Sequence, residues 1–361
     1  MKGIVNFTPG PSQLYFTVED HVRAAFREGI PSLSHRTKEF EIISKSTTDG
    51  VKELLGIPSH FHVFFTSSAT EIWERSIQNL VATKSMHFVN GAFSKRYHEI
   101  AAQLGKSPNK IEAPAGQGFS MDIPQEEGVE LIALTHNETS TGVSLPMNFI
   151  NQFREQYPDA LIAVDSVSSL PYPQFDFSKI DTLFFSVQKG FGLPAGLGVW
   201  IVNDRCIAKS EDLLSKGLSI GTYHNLPTLL QHGRKNQTPE TPNVVGIYLL
   251  GKVIEDFLRR GIQILRKETE YKAAILYQAL STHGLASPFV AEPSHRSNTV
   301  IVAQCGEHTK SIAQHLADQG LQAGDGYGEN KATQLRFANF PAHSKEQFEK
   351  LVDELEKIKS S

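Results

Sequence analysis

The chain has little of what would assign it to a specialised class. Only two of its 361 residues are cysteine, Cys206 and Cys305. That excludes a disulfide framework or a cysteine-built zinc site, so no metal is expected and a reducing compartment is. Charge is nearly balanced, with 35 Lys and Arg against 39 Asp and Glu for a net −4. The basic footprint that nucleic acid requires is missing, and no nucleic-acid partner is expected. No apolar run reaches membrane-spanning length, and the start, MKGIVNFTPGPSQ, lacks the apolar stretch of a signal peptide. A cytoplasmic chain with no membrane partner is therefore expected. Internal repeats and low-complexity tracts are absent as well. With 40% hydrophobic and 20% charged residues, what remains is ordinary globular composition. At roughly 100–200 residues per domain, the length suits two domains, or one large domain with an appendage.

Short apolar runs alternate with longer amphipathic stretches. Strands are predicted over Phe61–Thr66, Met86–Val89, Glu130–Thr135, Leu161–Val164, Thr182–Ser186 and Gly198–Val202, each rich in β-branched or aromatic residues and bounded by polar or Gly/Pro clusters. In Glu71–Val81, the residues Trp73, Ile77, Leu80 and Val81 fall on one helical face. Strands alternating with helices imply crossover connections and a mostly parallel, buried sheet, an α/β fold. After Pro242 the pattern changes. A long helical stretch runs from about Val244 into the 280s, interrupted near Gly261, followed by a strand in SNTVIVAQ and helices near Thr309–Gln319 and Ser344–Ile358. These elements predict a smaller α+β domain at the carboxyl end.

In doubly wound sheets, ligands gather beyond the carboxyl ends of the strands. After Phe61–Thr66 come Ser67, Ser68, Ala69 and Thr70, directly before a helix. Small hydroxyl residues there expose free amides suited to a phosphate, and a plain N-cap would look the same. Asp165 ends another strand, where it either pairs with a cation in the cleft or forms an Asx turn. Lys189 stands between an apolar strand and a Gly-rich turn. Held in the cleft and desolvated, its amine becomes a nucleophile for a carbonyl, as Schiff-base chemistry requires; otherwise it is a solvated surface lysine. The glycines at 190, 192 and 196 do not form a dinucleotide fingerprint, because the spacing is wrong, Pro194 interrupts, and a strand follows rather than a helix. A phosphate cradle, a strand-end Asp and a strand-end Lys are together the parts that hold pyridoxal 5′-phosphate, with the Asp keeping the pyridine nitrogen protonated.

At this point the chain resembles the class V aminotransferases of fold type I, most closely the phosphoserine aminotransferases. The resemblance is carried by NFTPGPSQL, SHRTKEF (34–40), VNGAFSKR (89–96), HNETSTG (136–142), VDSVSS (164–169), SVQKGFGLPAGLGVW (186–200), TPNVVGIYLL (241–250) and LRFANFP (335–341), nearly end to end. It implies an N-terminal arm and a large cofactor domain over 1–250, and a small domain over 251–361. It implies Lys189 as the Schiff-base lysine, Asp165 on the pyridine nitrogen, and Ser68, Ala69 and Thr70 with Gln188 around the phosphate. Phe93 would stack on the ring, where a core-packing role is the plain alternative, and Thr139 would lie near the ring hydroxyl. Thr241 would reach the phosphate bound by a partner subunit, which implies a homodimer with shared active sites. Arg336 would clamp the substrate α-carboxylate, and His35 and Arg36 would help hold a distal phosphate from the neighbouring subunit. For each of these three a surface ion pair is the alternative.

The implied reaction is transamination between an amino acid and a 2-oxo acid, 3-phosphoserine with 2-oxoglutarate in serine biosynthesis. One departure stands out. Phosphoserine enzymes usually present a His-Arg pair shortly before the carboxylate arginine, whereas GDGYGENKATQLR places Glu329 and Asn330 there. A glutamate repels a phosphate unless Lys331 or Arg36 supplies the charge. Class V enzymes acting on alanine or serine with glyoxylate therefore stay open as alternatives. So do a cysteine desulfurase, which would need a mobile Cys in place of Cys305, and a PLP-fold protein that binds without turnover.

Overall fold

The computed structural model describes residues 3–358; residues 1–2 of the expected arm and 359–361 of the expected small domain lie outside the described residues. A seven-stranded sheet runs, in spatial order, Phe61–Thr66, Gly198–Asn203, Thr182–Ser186, Leu161–Asp165, Leu131–Thr135, Lys84–Val89 and Ser107–Glu112. Gly198–Asn203 is antiparallel to both its neighbours, and all other pairings are parallel. Two successive reversals leave Phe61–Thr66 pointing the same way as the parallel strands. Six strands thus deliver their carboxyl ends to one edge, where crossover loops place ligand-binding residues.

The central strands read as continuous apolar runs because both faces are covered. In Thr182–Ser186, Leu183 and Phe185 face one core cluster while Phe184 faces the other, the period of two expected of a strand. Each such side chain contributes about 1.5–3 kcal/mol of burial. The strand Ser107–Glu112 escaped the sequence reading for a physical reason. It is a half-exposed edge strand, SPNKIE, with a proline and no fully buried residue, so it lacks the apolar signature of its neighbours. The helix predicted over Glu71–Val81 spans Ala69–Leu80, capped by Ser68, whose Oγ accepts from Glu71 N at 3.2 Å.

The long helical stretch is two helices, Val244–Arg260 and Ile262–Thr282, divided at Gly261 with φ +90°. Val253, Ile254, Phe257 and Leu265 belong to a core cluster of the large sheet. From Ala273 onward the second helix packs instead with an antiparallel sheet ordered Ser287–Pro288, Val300–Gln304, Gln334–Ala338 and Gly324–Asp325. On Gln334–Ala338, Leu335 and Phe337 enter that cluster, so alternation turns Arg336 to the opposite face, towards the large sheet.

The N-terminal segment connects the two sheets. Val5–Asn6 pairs with Leu321–Gln322, and Phe7 is buried in the smaller cluster. The chain then crosses to the large sheet, where Ser12 N donates to Gln188 O at 3.0 Å and Tyr15 N to Gly192 O at 2.8 Å. Gly10 lies against the Lys189 side chain, where an added Cβ would meet Lys189 Cε at 2.8 Å. Any larger residue at position 10 would displace that lysine.

Candidate active site

Thirteen residues line one pocket at the carboxyl edge of the large sheet, among them Ser68, Ala69, Thr70, Phe93, Thr139, Asp165, Gln188 and Lys189. Eight of the sequence-predicted positions thus converge. They arrive from five different strand ends: Ser68–Thr70 after Phe61–Thr66, Phe93 after Lys84–Val89, Thr139 after Leu131–Thr135, Asp165 at the end of its strand, and Gln188 and Lys189 after Thr182–Ser186.

Lys189 is 7% exposed, and its Nζ donates to Thr139 Oγ1 at 3.1 Å and sits 5.2 Å from the centroid of the Phe93 ring. Burial lowers its pKa to about 8, although the Asp165 and Glu138 charges oppose that shift. Thr139 Oγ1 in turn donates to Ser168 Oγ at 2.8 Å, and Ser168 also accepts from Asn137 Nδ2 at 2.7 Å. The lysine is therefore steered by a hydroxyl that is itself fixed. The turn after it admits no side chain at Gly190, where a Cβ would collide with the carbonyl oxygen of Leu170.

Asp165 is also buried. Burial raises its carboxyl to about 6, against two donors that favour the charged form: Val167 N at 2.9 Å to Oδ1 and the Trp73 indole N–H at 2.7 Å to Oδ2. Sequence reading placed Trp73 only on the apolar face of its helix. Its contact with Asp165 is decided by the packing of that helix on the sheet, and no local signal reveals it.

Glu138 was a second omission. Fully buried, its carboxylate accepts from Ser94 N at 2.9 Å, Ser94 Oγ at 2.8 Å and Ser140 Oγ at 2.6 Å. It caps the helix Ala92–Gln103, whose N-cap, Gly91, has no side chain to offer. A carboxylate at that end also suits the helix dipole, and it fixes Phe93 beside Thr139.

Arg336 reaches the same edge from the smaller sheet. Its Nε donates to Asp325 O at 2.6 Å and its Nη1 to Thr139 O at 3.2 Å, with the guanidinium 5.4 Å from the Tyr327 ring. Tyr327 in turn contacts Phe93, with ring centroids 5.2 Å apart. An adjoining cavity is lined by Lys95, Ser140, Tyr327, Glu329 and Asn330. Lys331 forms an exposed ion pair at 3.5 Å with Asp325, the residue whose carbonyl receives Arg336 Nε.

Four predicted positions do not line the pocket: Arg336, which stands beside it on Thr139, and His35, Arg36 and Thr241. Arg36 donates to Gln237 Oε1 and Thr238 O, both at 2.9 Å, which ties it to the segment leading to the exposed Thr241. Cys305 is buried in the smaller core with its thiol raised to about 11 by burial, which is not the setting of a mobile nucleophile.

Whether the pocket suits pyridoxal 5′-phosphate can be judged from its own polar atoms. At the start of Ala69–Leu80, Ala69 N already donates to Ser186 Oγ at 2.8 Å and Glu71 N to Ser68 Oγ at 3.2 Å, which leaves Thr70 N and the Ser68 and Thr70 hydroxyls at the helix end that phosphate prefers. Gln188 Oε1 and Asn137 Oδ1 are buried acceptors without a protein donor on the walls that carry Lys189 and Asp165. The residues fit the group.

The aminotransferase class-V family pattern matches residues 4–335. A phosphoserine aminotransferase from Rhodococcus opacus is 27% identical over 332 residues, which cover 91% of this chain and 88% of that protein. The crystal structure of a phosphoserine aminotransferase from Cytophaga hutchinsonii superposes with a TM-score of 0.98 at 52% identity over 100% of both chains. An aspartate aminotransferase from Thermus thermophilus, 22% identical, shares the fold with a TM-score of 0.83 over 98% of this chain and 99% of that one.

Proposed function

As the chain belongs to the class-V aminotransferases, we propose that it exchanges the amino group between 3-phosphoserine and 2-oxoglutarate in serine biosynthesis, with pyridoxal 5′-phosphate as its resident cofactor. The observation that carries the cofactor reading is the convergence of Lys189, Asp165 and the Ser68–Thr70 helix start in one pocket. The substrate reading is supported by the full-length similarity to the Cytophaga hutchinsonii enzyme.

Bound there, the cofactor would supply an electron sink for the charge left when a proton leaves the substrate Cα. The chain's residues do the rest. Lys189 Nζ, steered by Thr139, takes the Cα proton from the amino donor in one half-reaction and supplies a proton to Cα of the acceptor in the other, a role suited to an amine whose pKa lies near 8. Asp165 presents a carboxylate to the ring nitrogen, Ser68, Ala69, Thr70 and Gln188 hold the phosphate, and Phe93 covers the ring face. Arg336, oriented by two carbonyls, grips the α-carboxylate.

Thr241, His35 and Arg36 serve the neighbouring site of a homodimer. That reading is supported by their position away from their own pocket. It is supported also by exposed apolar side chains, Leu14, Phe16, Phe26 and Ile42, in the stretch that carries His35 and Arg36. The partner's cations then meet the distal phosphate near Glu329. The two free cysteines, both buried, support a cytoplasmic location.

The substrate is tested by half-reactions of the loaded enzyme with phosphoserine, serine, alanine and glutamate, followed by the loss of visible absorbance. Phosphoserine and glutamate are expected to react, with phosphoserine preferred to serine by at least about a hundredfold, because a site built around a phosphate leaves its charges unpaired without one. Reaction with alanine but not phosphoserine would move the chain to another class V substrate.

A second prediction concerns Trp73. Trp73→Phe keeps the ring and removes only the N–H. Cofactor affinity at pH 7 should fall about tenfold, the usual worth of a hydrogen bond to a charged group. The acid limb of binding should move to higher pH, because Asp165 loses a donor that favours its charged form. A titration of cofactor absorbance across pH checks both, and a superimposable profile would mean that the bond is idle.

A further inference from the structure

Beside the phosphate cradle lies a buried charge cluster that the proposed reaction does not use. His224, 3% exposed, stands between two carboxylates: its Nδ1 is 2.5 Å from Glu71 Oε1 and its Nε2 is 3.0 Å from Glu240 Oε2. The second contact lies off the ring's N–H direction, so it is a charge contact more than an aligned hydrogen bond. Glu71 belongs to the first turn of the cradle helix and also accepts from Ser67 N at 2.9 Å and Ser67 Oγ at 2.6 Å. Glu240 directly precedes Thr241. On the other side of Thr241, Asn243 Nδ2 donates to Gly196 O at 3.0 Å, in the turn that follows Lys189. The segment carrying Thr241 is therefore pinned at both ends to the elements that form the pocket.

We propose that His224, as an imidazolium, is a positioning residue that clasps the Glu240–Thr241 segment to the cradle helix and neutralises Glu71 next to the cofactor phosphate. The proposal rests on the cofactor reading above. Glu71 caps Ser67, but an unneutralised carboxylate one turn from a dianionic phosphate would repel it. Arg75 shares Glu71 at the longer distance of 3.6 Å, against 2.5 Å for His224 Nδ1, and also lies 3.7 Å from Glu74, while the Tyr223 ring stacks on the imidazole at 4.0 Å. Burial opposes the charge on His224, yet the Glu240 and Glu71 carboxylates outweigh it and raise its pKa to about 9. Because the folded value lies above the ordinary 6.5, the clasp is complete below about pH 6.5 and is lost as pH rises through about 9.

The test uses the full-length loaded protein and the variants H224Q and E240Q. Two quantities are measured: amide exchange at Thr238, Glu240 and Thr241, and retention of pyridoxal 5′-phosphate on dilution, both across pH 7 to 10. At pH 7, H224Q should exchange about tenfold faster in this segment and release cofactor about tenfold faster. Once exchange is referred to its intrinsic base-catalysed rate at each pH, the wild type should fall to the H224Q level of protection only as pH passes through about 9, and E240Q should show the loosened segment while keeping Glu71 neutralised. Equal exchange in wild type and H224Q, or a wild type without an alkaline inflection, would overturn the clasp. E240Q decides the matter should H224Q fail to fold. A wild type that takes up no cofactor would defeat the cofactor reading and with it the phosphate half of this proposal, while the exchange measurement, which needs no cofactor, still decides the clasp.

Discussion

Lys189→Ala is expected to give a folded, colourless protein whose transamination rate is lower by about 10⁴-fold, the upper range for loss of a positioned acid–base group. Among the described residues no other amine lines the pocket: Nζ is buried at the carboxyl edge of the sheet, 3.1 Å from Thr139 Oγ1. Lys189→Arg should be as inactive, because a guanidinium keeps the charge but cannot act as a base near neutral pH. Far-ultraviolet circular dichroism would confirm that both variants fold, and visible absorbance would report whether cofactor is held covalently. The pKa of about 8 also gives the rate of cofactor loading a sign. The neutral amine is the attacking form, so the loading rate of cofactor-free protein should rise with pH and level off above about 8. A variant lacking Lys189 that retains both colour and turnover would end the aminotransferase mechanism derived for this pocket.

Replacing Asp165 with Asn should lower the rate about 10²–10³-fold, comparable to removing one preorganised charge from a reacting centre. The pH dependence separates this role from mere packing. Burial raises the Asp165 carboxyl from 3.8 to about 6, so the charged form demanded by the ring nitrogen is lost as pH falls through that value. Wild-type cofactor affinity should therefore have an acid limb near pH 6 that Asp165→Asn lacks. The cofactor-free protein should behave in the opposite sense. Its folded state holds this proton more tightly than the unfolded chain does, so it loses about 3 kcal/mol of stability as pH rises from about 4 to about 6. Melting temperatures of cofactor-free wild type and Asp165→Asn at pH 4.5 and 7 measure that loss, and the variant should show less of it. Identical acid limbs in the two proteins would place the carboxylate outside the cofactor's reach.

Much of this site is legible before folding is considered, and the reason is local. Ser68 caps its own helix, Asp165 ends an apolar strand, and Lys189 enters a turn rich in glycine. Each feature is written in a few adjacent residues, and a parallel sheet brings strand ends together by its topology alone. Partners distant in sequence left no such trace. Trp73 and Asp165 are 92 positions apart, and His224 and Glu71 are 153 apart; the first reads locally as one more apolar residue on a helix, and the second as a histidine in a loop.

What the sequence determined by itself is the set of chemical groups and the strand ends that carry them, because apolar periodicity and turn chemistry are short-range properties. The tertiary structure alone decided which of those groups share protons and charge. It turned Arg336 from the smaller sheet onto the Thr139 carbonyl, bent the N-terminal segment across Lys189, and buried Glu138 under a helix that begins with glycine. It also desolvated Lys189 and Asp165 together, moving their pKa values towards each other to about 8 and about 6. That shift depends on how much water the packed chain excludes, which no stretch of adjacent residues fixes.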